Sequence, residues 1–148
     1  KGEATEAFLR WQKFSQITPE FPVGNLINSA CVRDLSPEEI NAYDAPFPTD
    51  DYKAGARIFP SLVPTSEEDP ASKDNANAWL SLSEFTKPFL LAFSDSDPVT
   101  KGGDAPFYAK VPGAKQQNHV TIQSAGHFLQ EDKGPELAAL INDFIAGT

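Results

Sequence analysis

The chain reads PFLLAFSDSDPVT over residues 88–100, and this stretch decides its fold class. The apolar first half predicts a buried strand, and an acidic loop containing Asp97 follows it. Further along, HVTIQSAGHF at 119–128 repeats the arrangement, with a short strand pattern followed by a loop that carries His127. A helix predicted near 104–110 separates the strands, so they should run parallel. An acid and a histidine are then expected to meet at one edge of an α/β sheet.

Proline-broken helices are predicted before and around this segment. Apolar spacing and turn residues place them over 3–15, 23–31, 36–43, 50–59 and 71–85. The clearest start signal combines an N-cap at Ser36, a proline at Pro37 and a capping-box acid at Glu39. Pro60 is expected to end the fourth helix, and Gly134–Pro135 opens a last helix with an apolar stripe.

Two parallel strands cannot supply a complete sheet, because parallel sheets are buried on both faces and an isolated pair is marginal in water. We therefore expect the rest of the sheet to lie in another part of the protein. The 148 residues contain no methionine and begin at Lys1. This also favours an excerpt from a longer chain.

The composition narrows the class of protein. A net charge of −9 disfavours nucleic acid and anionic membrane surfaces as partners. No apolar run reaches the roughly 18 to 20 residues of a membrane span. A single cysteine, Cys31, forms no intramolecular disulfide, which fits a cytoplasmic protein. Two histidines and one cysteine are too few and too scattered for a zinc site, so we expect no metal.

Four stretches carry a family resemblance. They are DAPFP at 44–48, YKAGARIFP at 52–60, the Asp97–Pro98 loop and AGHFLQE at 125–131. Together they resemble the haloalkane dehalogenases, which have the α/β-hydrolase fold, and the resemblance runs from about Trp11 to Ile145. It implies a partial α/β-hydrolase fold. Residues 1–66 would form the helical cap, and 67–148 would hold the last two parallel strands and flanking helices of the main domain.

The resemblance also implies catalytic roles. His127 would be the general base, and Asp97 would hold its ring, whereas Asp95, nearer the strand, is expected to be solvated. Loop chemistry alone would also explain either acid. The nucleophilic aspartate, a neighbouring tryptophan and the oxyanion loop would lie in the missing N-terminal half. A serine nucleophile finds little support, since the pattern Gly-x-Ser-x-Gly is absent.

Trp11 is the expected halide-binding residue, because the family uses a cap tryptophan whose indole N–H faces the leaving halide. A tryptophan on an apolar helical stripe is otherwise a core residue, as we expect for Trp79. Some relatives place the halide-binding tryptophan before the DAPFP stretch, at a position that is Cys31 here. Four further residues match positions that line the family's substrate pocket: Phe59, Pro60, Val63 and Val99. Phe128, which directly follows the histidine, is expected to line the pocket as well. His119 is expected to be structural.

The function implied is that of a haloalkane dehalogenase, which cleaves carbon–halogen bonds by hydrolysis through an alkyl-enzyme ester. Its partners would be a small apolar halogenated substrate, halide and water, with no metal or organic cofactor. An epoxide hydrolase using Tyr43 and Tyr52 is the alternative enzyme. The chain could instead be an inactive fragment contributing half of the site, or part of a non-catalytic receptor or light-emitting oxygenase on the same scaffold. We expect the chain alone to be inactive.

Overall fold

The computed structural model describes residues 4–148, so residue 3, where the first helix was predicted to begin, lies outside them. The helices and strands follow the predicted order closely. The helices are α1 Glu6–Ile17, α2 Val23–Ser29, α3 Pro37–Asp44, α4 Ala54–Leu62, α5 Ser72–Ser83, α6 Asp104–Lys110 and α7 Leu129–Ala146, and the strands are β1 Ala92–Ser94 and β2 Val120–Ile122. Within the first half, α1 packs on α4 and α2 packs on α3.

Local capping signals set the start of α3. The Ser36 hydroxyl accepts from the Glu39 N–H at 3.3 Å, and the Glu39 carboxylate accepts from the Ser36 N–H at 2.7 Å. Both halves of the capping box are therefore present, and the predicted helix start is confirmed.

The end of α4 differs from the prediction. The helix continues through Pro60 and ends at Leu62, after a 3₁₀ turn over Asp50–Lys53. Proline removes a single N–H from the helical ladder, so a helix supported by tertiary packing can extend past it. Pro60 is buried, and its carbonyl accepts from the Gln12 side chain of α1 at 3.1 Å. Packing against α1 thus outweighs the helix-breaking signal.

The two strands pair in parallel, as predicted, with Ala92 opposite Val120 and Ser94 opposite Ile122. They are shorter than the predicted runs over 88–93 and 119–123. Before Ala92 the Leu91 carbonyl still accepts from the Val120 N–H at 3.2 Å, but the Leu91 N–H donates to Nδ1 of His119 at 3.0 Å instead of to a strand carbonyl. The other ring nitrogen of His119 bonds the Ala114 carbonyl at 2.7 Å. Both nitrogens of His119 therefore serve a structural contact.

The last helix has two parts. Lys133 has non-helical dihedrals, φ −138° and ψ 35°, and separates a first turn from the rest of α7. The second part begins at Gly134–Pro135, as the sequence predicted, whereas the turn before it was not predicted.

The core of the second half lies beside β1. Leu91, Val111 and Ala114 are buried there, and partly buried apolar side chains of Leu82, Phe89, Phe93 and Phe107 pack against them. Within the described part of the chain, no helix is both long and apolar enough to cross a membrane.

Candidate active site

The loops that follow β1 and β2 bring Asp97 and His127 into contact. Asp97 is only 5% exposed, and its Oδ2 lies 3.0 Å from Nδ1 of His127. The same carboxylate accepts from the Val99 N–H at 2.7 Å and from the Thr100 hydroxyl. Three donors therefore hold the carboxylate in one orientation.

These contacts keep Asp97 ionised. Burial raises the pKa of the Asp97 carboxyl, but the hydrogen bonds from Thr100, His127 and Val99 outweigh it, so the net pKa is below its usual value. An ionised carboxylate can only accept, so Nδ1 of His127 carries the hydrogen in this contact. In the neutral ring Nε2 is then the nitrogen that can accept a proton, as a general base requires.

Asp95 ties the two loops together. Its carboxylate is exposed, as predicted, yet it accepts from the Ser124 N–H at 3.1 Å and the Ala125 N–H at 3.3 Å. Ser124 has a positive φ of 56°, which is uncommon for a residue other than glycine. Sequence reasoning missed this contact, because the acid and its backbone donors lie on different loops.

The backbone around His127 lies against the segment that follows α2. The His127 N–H donates to the Ala30 carbonyl at 2.8 Å, and the Gly126 N–H donates to the Asp132 carboxylate at 2.7 Å. A Cβ atom on Gly126 would lie 2.4 Å from the Ala30 oxygen. Only glycine allows this close approach of the two backbones.

An apolar cavity of about 270 Å³ adjoins the His127 ring. Its walls come from α1, α2, α4 and the two loops. The lining residues are Trp11, Phe21, Val23, Leu26, Ile27, Ser29, Ala30, Ala56, Val99, His127 and Phe128. Such a chamber has room for a small apolar molecule, and it places that molecule next to His127.

Some of the predicted site residues line the cavity and others do not. Trp11, Val99 and Phe128 line it together with His127. Phe59, Pro60 and Val63 do not. The side chains of Phe59 and Val63 are 70% and 46% exposed, whereas Pro60 is buried against α1. The assigned roles of all these residues stay predictions.

Several lining residues were missed by sequence reasoning. Phe21 contacts Trp11 with ring centroids 5.8 Å apart, and Leu26 and Ile27 reach the cavity from α2. An apolar residue on a short helix looks the same in sequence whether it faces a core or a cavity. Cys31 does not line the cavity, and its thiol lies 3.3 Å from the Ile27 carbonyl oxygen as a hydrogen-bond donor.

The two tyrosines of the epoxide-hydrolase alternative lie away from the cavity. The Tyr43 hydroxyl donates to Glu131, and this bond together with burial raises the pKa of Tyr43 to about 12. Tyr52 is 64% exposed. Neither side chain lines the chamber beside His127, so the geometry does not favour epoxide protonation.

No family model matches the chain, but individual proteins do. It is 54% identical over 140 residues to a haloalkane dehalogenase of Psychrobacter cryohalolentis and 45% identical over 141 residues to one of Mycobacterium marinum. Each alignment covers 95% of this chain, but only 46% and 47% of the two relatives. The chain thus spans about half the length of the curated relatives it matches.

Solved structures give the same result. Haloalkane dehalogenase DpaA of Paraglaciecola agarilytica superposes with a TM-score of 0.82 at 30% identity, covering 94% of this chain and 46% of that one. DbeA of Bradyrhizobium elkani superposes with a TM-score of 0.72 at 25% identity, covering 97% and 52%. The resemblance to the haloalkane dehalogenases is confirmed. The predicted fold is confirmed too: helices with a two-stranded parallel sheet, matching the C-terminal half of an α/β-hydrolase.

Proposed function

We propose that this chain contributes the acid–base pair and part of the substrate cavity to a haloalkane dehalogenase. One observation carries the proposal: the ionised, buried Asp97 holds Nδ1 of His127, while the ring borders an apolar cavity. Similarity to haloalkane dehalogenases along 95% of the chain supplies the reaction class.

The first step of the proposed reaction needs a carboxylate that lies outside this chain. One of its oxygens attacks the carbon that bears the halogen, an alkyl ester forms, and the halide leaves with the bonding electrons. Trp11 is proposed to donate its indole N–H to the departing halide. Indole is a donor with no acceptor, so it stabilises an anion without taking part in proton transfer.

The second step is assigned to His127. Nε2 takes a proton from water as the water oxygen bonds to the ester carbonyl carbon. As the bond to the alkyl oxygen breaks, the imidazolium returns this proton to the alkoxide, which leaves as the alcohol. The carboxylic acid that remains then loses a proton, which restores the carboxylate. The net products are alcohol, halide and one proton. Asp97 stabilises the imidazolium that forms on the way, and general-base catalysis of this kind contributes roughly 10²–10⁴-fold.

The substrate is proposed to be a small halogenated alkane, because the chamber offers almost no hydrogen-bonding partner. Val99 and Phe128 would contact it directly. Phe59 and Val63 are proposed to complete the pocket once the other half of the protein covers the exposed side of α4. Pro60, which is buried against α1, is proposed to support that wall of the pocket. On this view residues 1–66 form the cap and 67–148 form part of the main domain.

An exposed apolar groove offers a surface on which the N-terminal half of the protein could pack. A groove between β1 and α7 is lined by apolar residues of both elements and of the segment 88–91 before β1, among them Phe89, Leu90, Ile141 and Ile145. Ile145 is 64% exposed and Ile141 43% exposed. We propose that the N-terminal half adds its strands here and brings the nucleophile, and that the complete protein is cytoplasmic. The chain alone is expected to be inactive.

The test is a burst experiment on the complete protein with short bromoalkanes and chloroalkanes. His127→Ala should release about one equivalent of halide and then stop, because ester formation needs no base whereas ester hydrolysis does. Gln123→Ala, an exposed change on the same loop, serves as the control and should turn over normally. Sustained turnover by His127→Ala would refute the role of His127. Absence of halide release by the unmodified protein would refute the function.

A further inference from the structure

A single carboxylate, that of Asp132, joins the loop of His127 to the segment after α2. It accepts from the Gly126 N–H at 2.7 Å, one residue before the histidine. It also accepts from the Val32 N–H and the Arg33 N–H, both at 2.9 Å. Three backbone donors from two distant parts of the chain therefore converge on one side chain.

The same two segments also touch beside the reacting ring. The His127 N–H donates to the Ala30 carbonyl, and Gly126 leaves no room for a side chain between the backbones. Ala30 itself lines the cavity. The position of the histidine backbone thus depends on its contact with Ala30, in the segment after α2.

The charge of Asp132 suits this role. Burial raises the pKa of its carboxyl, but the N–H groups of Arg33, Gly126 and Val32 outweigh that effect, and the net pKa is lowered. Arg33 adds ion pairs to Glu39 at 2.7 Å and to Glu131 at 3.2 Å. The guanidinium thereby places positive charge among the acids around Asp132.

We propose that Asp132 is a positioning residue that holds the His127 loop and residues 30–33 as one unit, and so keeps the imidazole aligned with Asp97 for ester hydrolysis. The kinetic consequence rests on the proposed function, whereas the structural coupling does not. Asp132 lies outside the cavity lining and acts only through the backbone that carries His127.

Asp132→Asn in the complete protein tests the kinetic part. The amide keeps the size of the side chain but sets an NH₂ group against a backbone N–H. We expect kcat to fall at least about tenfold, with KM falling by the same factor, because slower ester hydrolysis lowers both and leaves kcat/KM unchanged. The halide burst should stay near one equivalent. Glu136→Gln removes an exposed charge on the same helix, and it should leave kcat, KM and the halide burst unchanged.

The burst and the steady-state constants together distinguish a positioning role of Asp132 from a role in folding alone. A burst reduced in proportion to kcat, with unchanged KM, would mean that Asp132 only maintains folded protein, and it would overturn the positioning role. An unchanged kcat would overturn it as well. If the unmodified protein releases no halide, the proposed function fails, and hydrogen exchange then decides the structural coupling.

Native-state hydrogen exchange measures that coupling without any reaction chemistry, first in the unmodified protein and then in Asp132→Asn. In the unmodified complete protein, the amides of Val32, Arg33, Gly126 and His127 should exchange with one shared opening free energy. In Asp132→Asn they should all lose protection by about tenfold or more, whereas α5 amides keep theirs. Separate opening of the two segments in the unmodified protein would overturn the proposal.

Discussion

At the residue scale, the protonation state of Asp97 links the geometry of the site to acid stability. Its pKa is lowered in the folded chain from an ordinary value of 3.8, despite burial. A carboxyl with a depressed pKa adds stability above its unfolded-state pKa, and that stability is lost as the pH falls through the folded-state pKa. Asp97 should therefore stabilise the protein at neutral pH and cease to do so in strong acid.

We expect Asp97→Asn to lower the melting temperature at pH 7, and the difference from the unmodified protein to shrink steadily below about pH 4. Thermal melts of the complete protein between pH 7 and pH 3 would measure it. Glu67→Gln, a change at an exposed acid in the loop before α5, is the control and should show no such trend. A difference that stays constant down to pH 3 would contradict the ionised state of Asp97.

The contact between Asp97 and His127 could be expected from sequence, because each residue follows a strand pattern and parallel strands bring such loops to one edge. Asp132 could not be found this way. Its backbone donors at Val32 and Arg33 are about 100 positions away, and nothing in the local sequence marks a carboxylate that binds N–H groups. The roles of Asp95 and Asp132 depend on tertiary contacts that leave no periodic signal.

At the element scale, local signals predicted some boundaries and failed at others. The start of α3 follows from Ser36, Pro37 and Glu39, because both hydrogen bonds of the capping box are made within one turn. The end of α4 depends on Gln12, a residue of another helix, and could not be read from Pro60. The start of β1 was missed for the same reason, since His119 takes the N–H that would otherwise extend the ladder.

The capping box of α3 gives a prediction with a defined pH range. The hydrogen bond from Arg33 and that from the Ser36 N–H lower the pKa of Glu39 from 4.5 to about 2. The stability that Glu39 adds should be present above about pH 4.5 and be lost as the pH falls toward 2. We expect Glu39→Gln to lower the free energy of unfolding at pH 7. Near pH 2 the variant and the unmodified protein should have nearly the same free energy of unfolding.

Ser36→Ala should cost about 1 kcal/mol of unfolding free energy with little dependence on pH, because its hydroxyl does not titrate. Chemical denaturation of both variants at several pH values measures the contrast. Glu38→Gln, an exposed neighbour in the same turn, controls for the loss of charge. Equal pH dependence in Glu38→Gln and Glu39→Gln would show that general charge, not the capping box, sets the effect.

At the scale of the whole molecule, apolar side chains are exposed beside the paired strands. The groove between β1 and α7 leaves Ile141 and Ile145 exposed, as α4 leaves Phe59. Exposed apolar patches of this kind mark contact surfaces. The groove is therefore the surface on which we propose that the remaining strands of the sheet form, whereas the sequence alone predicted only that more strands were needed.

The proposed role of the groove between β1 and α7 predicts how the two halves of the protein behave when they are separated. The 148-residue chain alone should self-associate and show no dehalogenation, because its apolar groove is uncovered and it lacks a nucleophile. Ile145→Lys should reduce self-association of the chain, since a charge would then occupy the groove. The same change should block recovery of activity when the chain is mixed with a separately produced N-terminal half, because the lysine would be buried there without a partner.

Leu80→Lys supplies the matched control, because Leu80 is 67% exposed on α5 and does not line the groove. It should leave both self-association and recovery of activity as they are in the unmodified chain. Light scattering measures the first property and halide release the second. If Ile145→Lys still recovers full activity with the N-terminal half, the groove between β1 and α7 is not the surface on which the rest of the sheet forms.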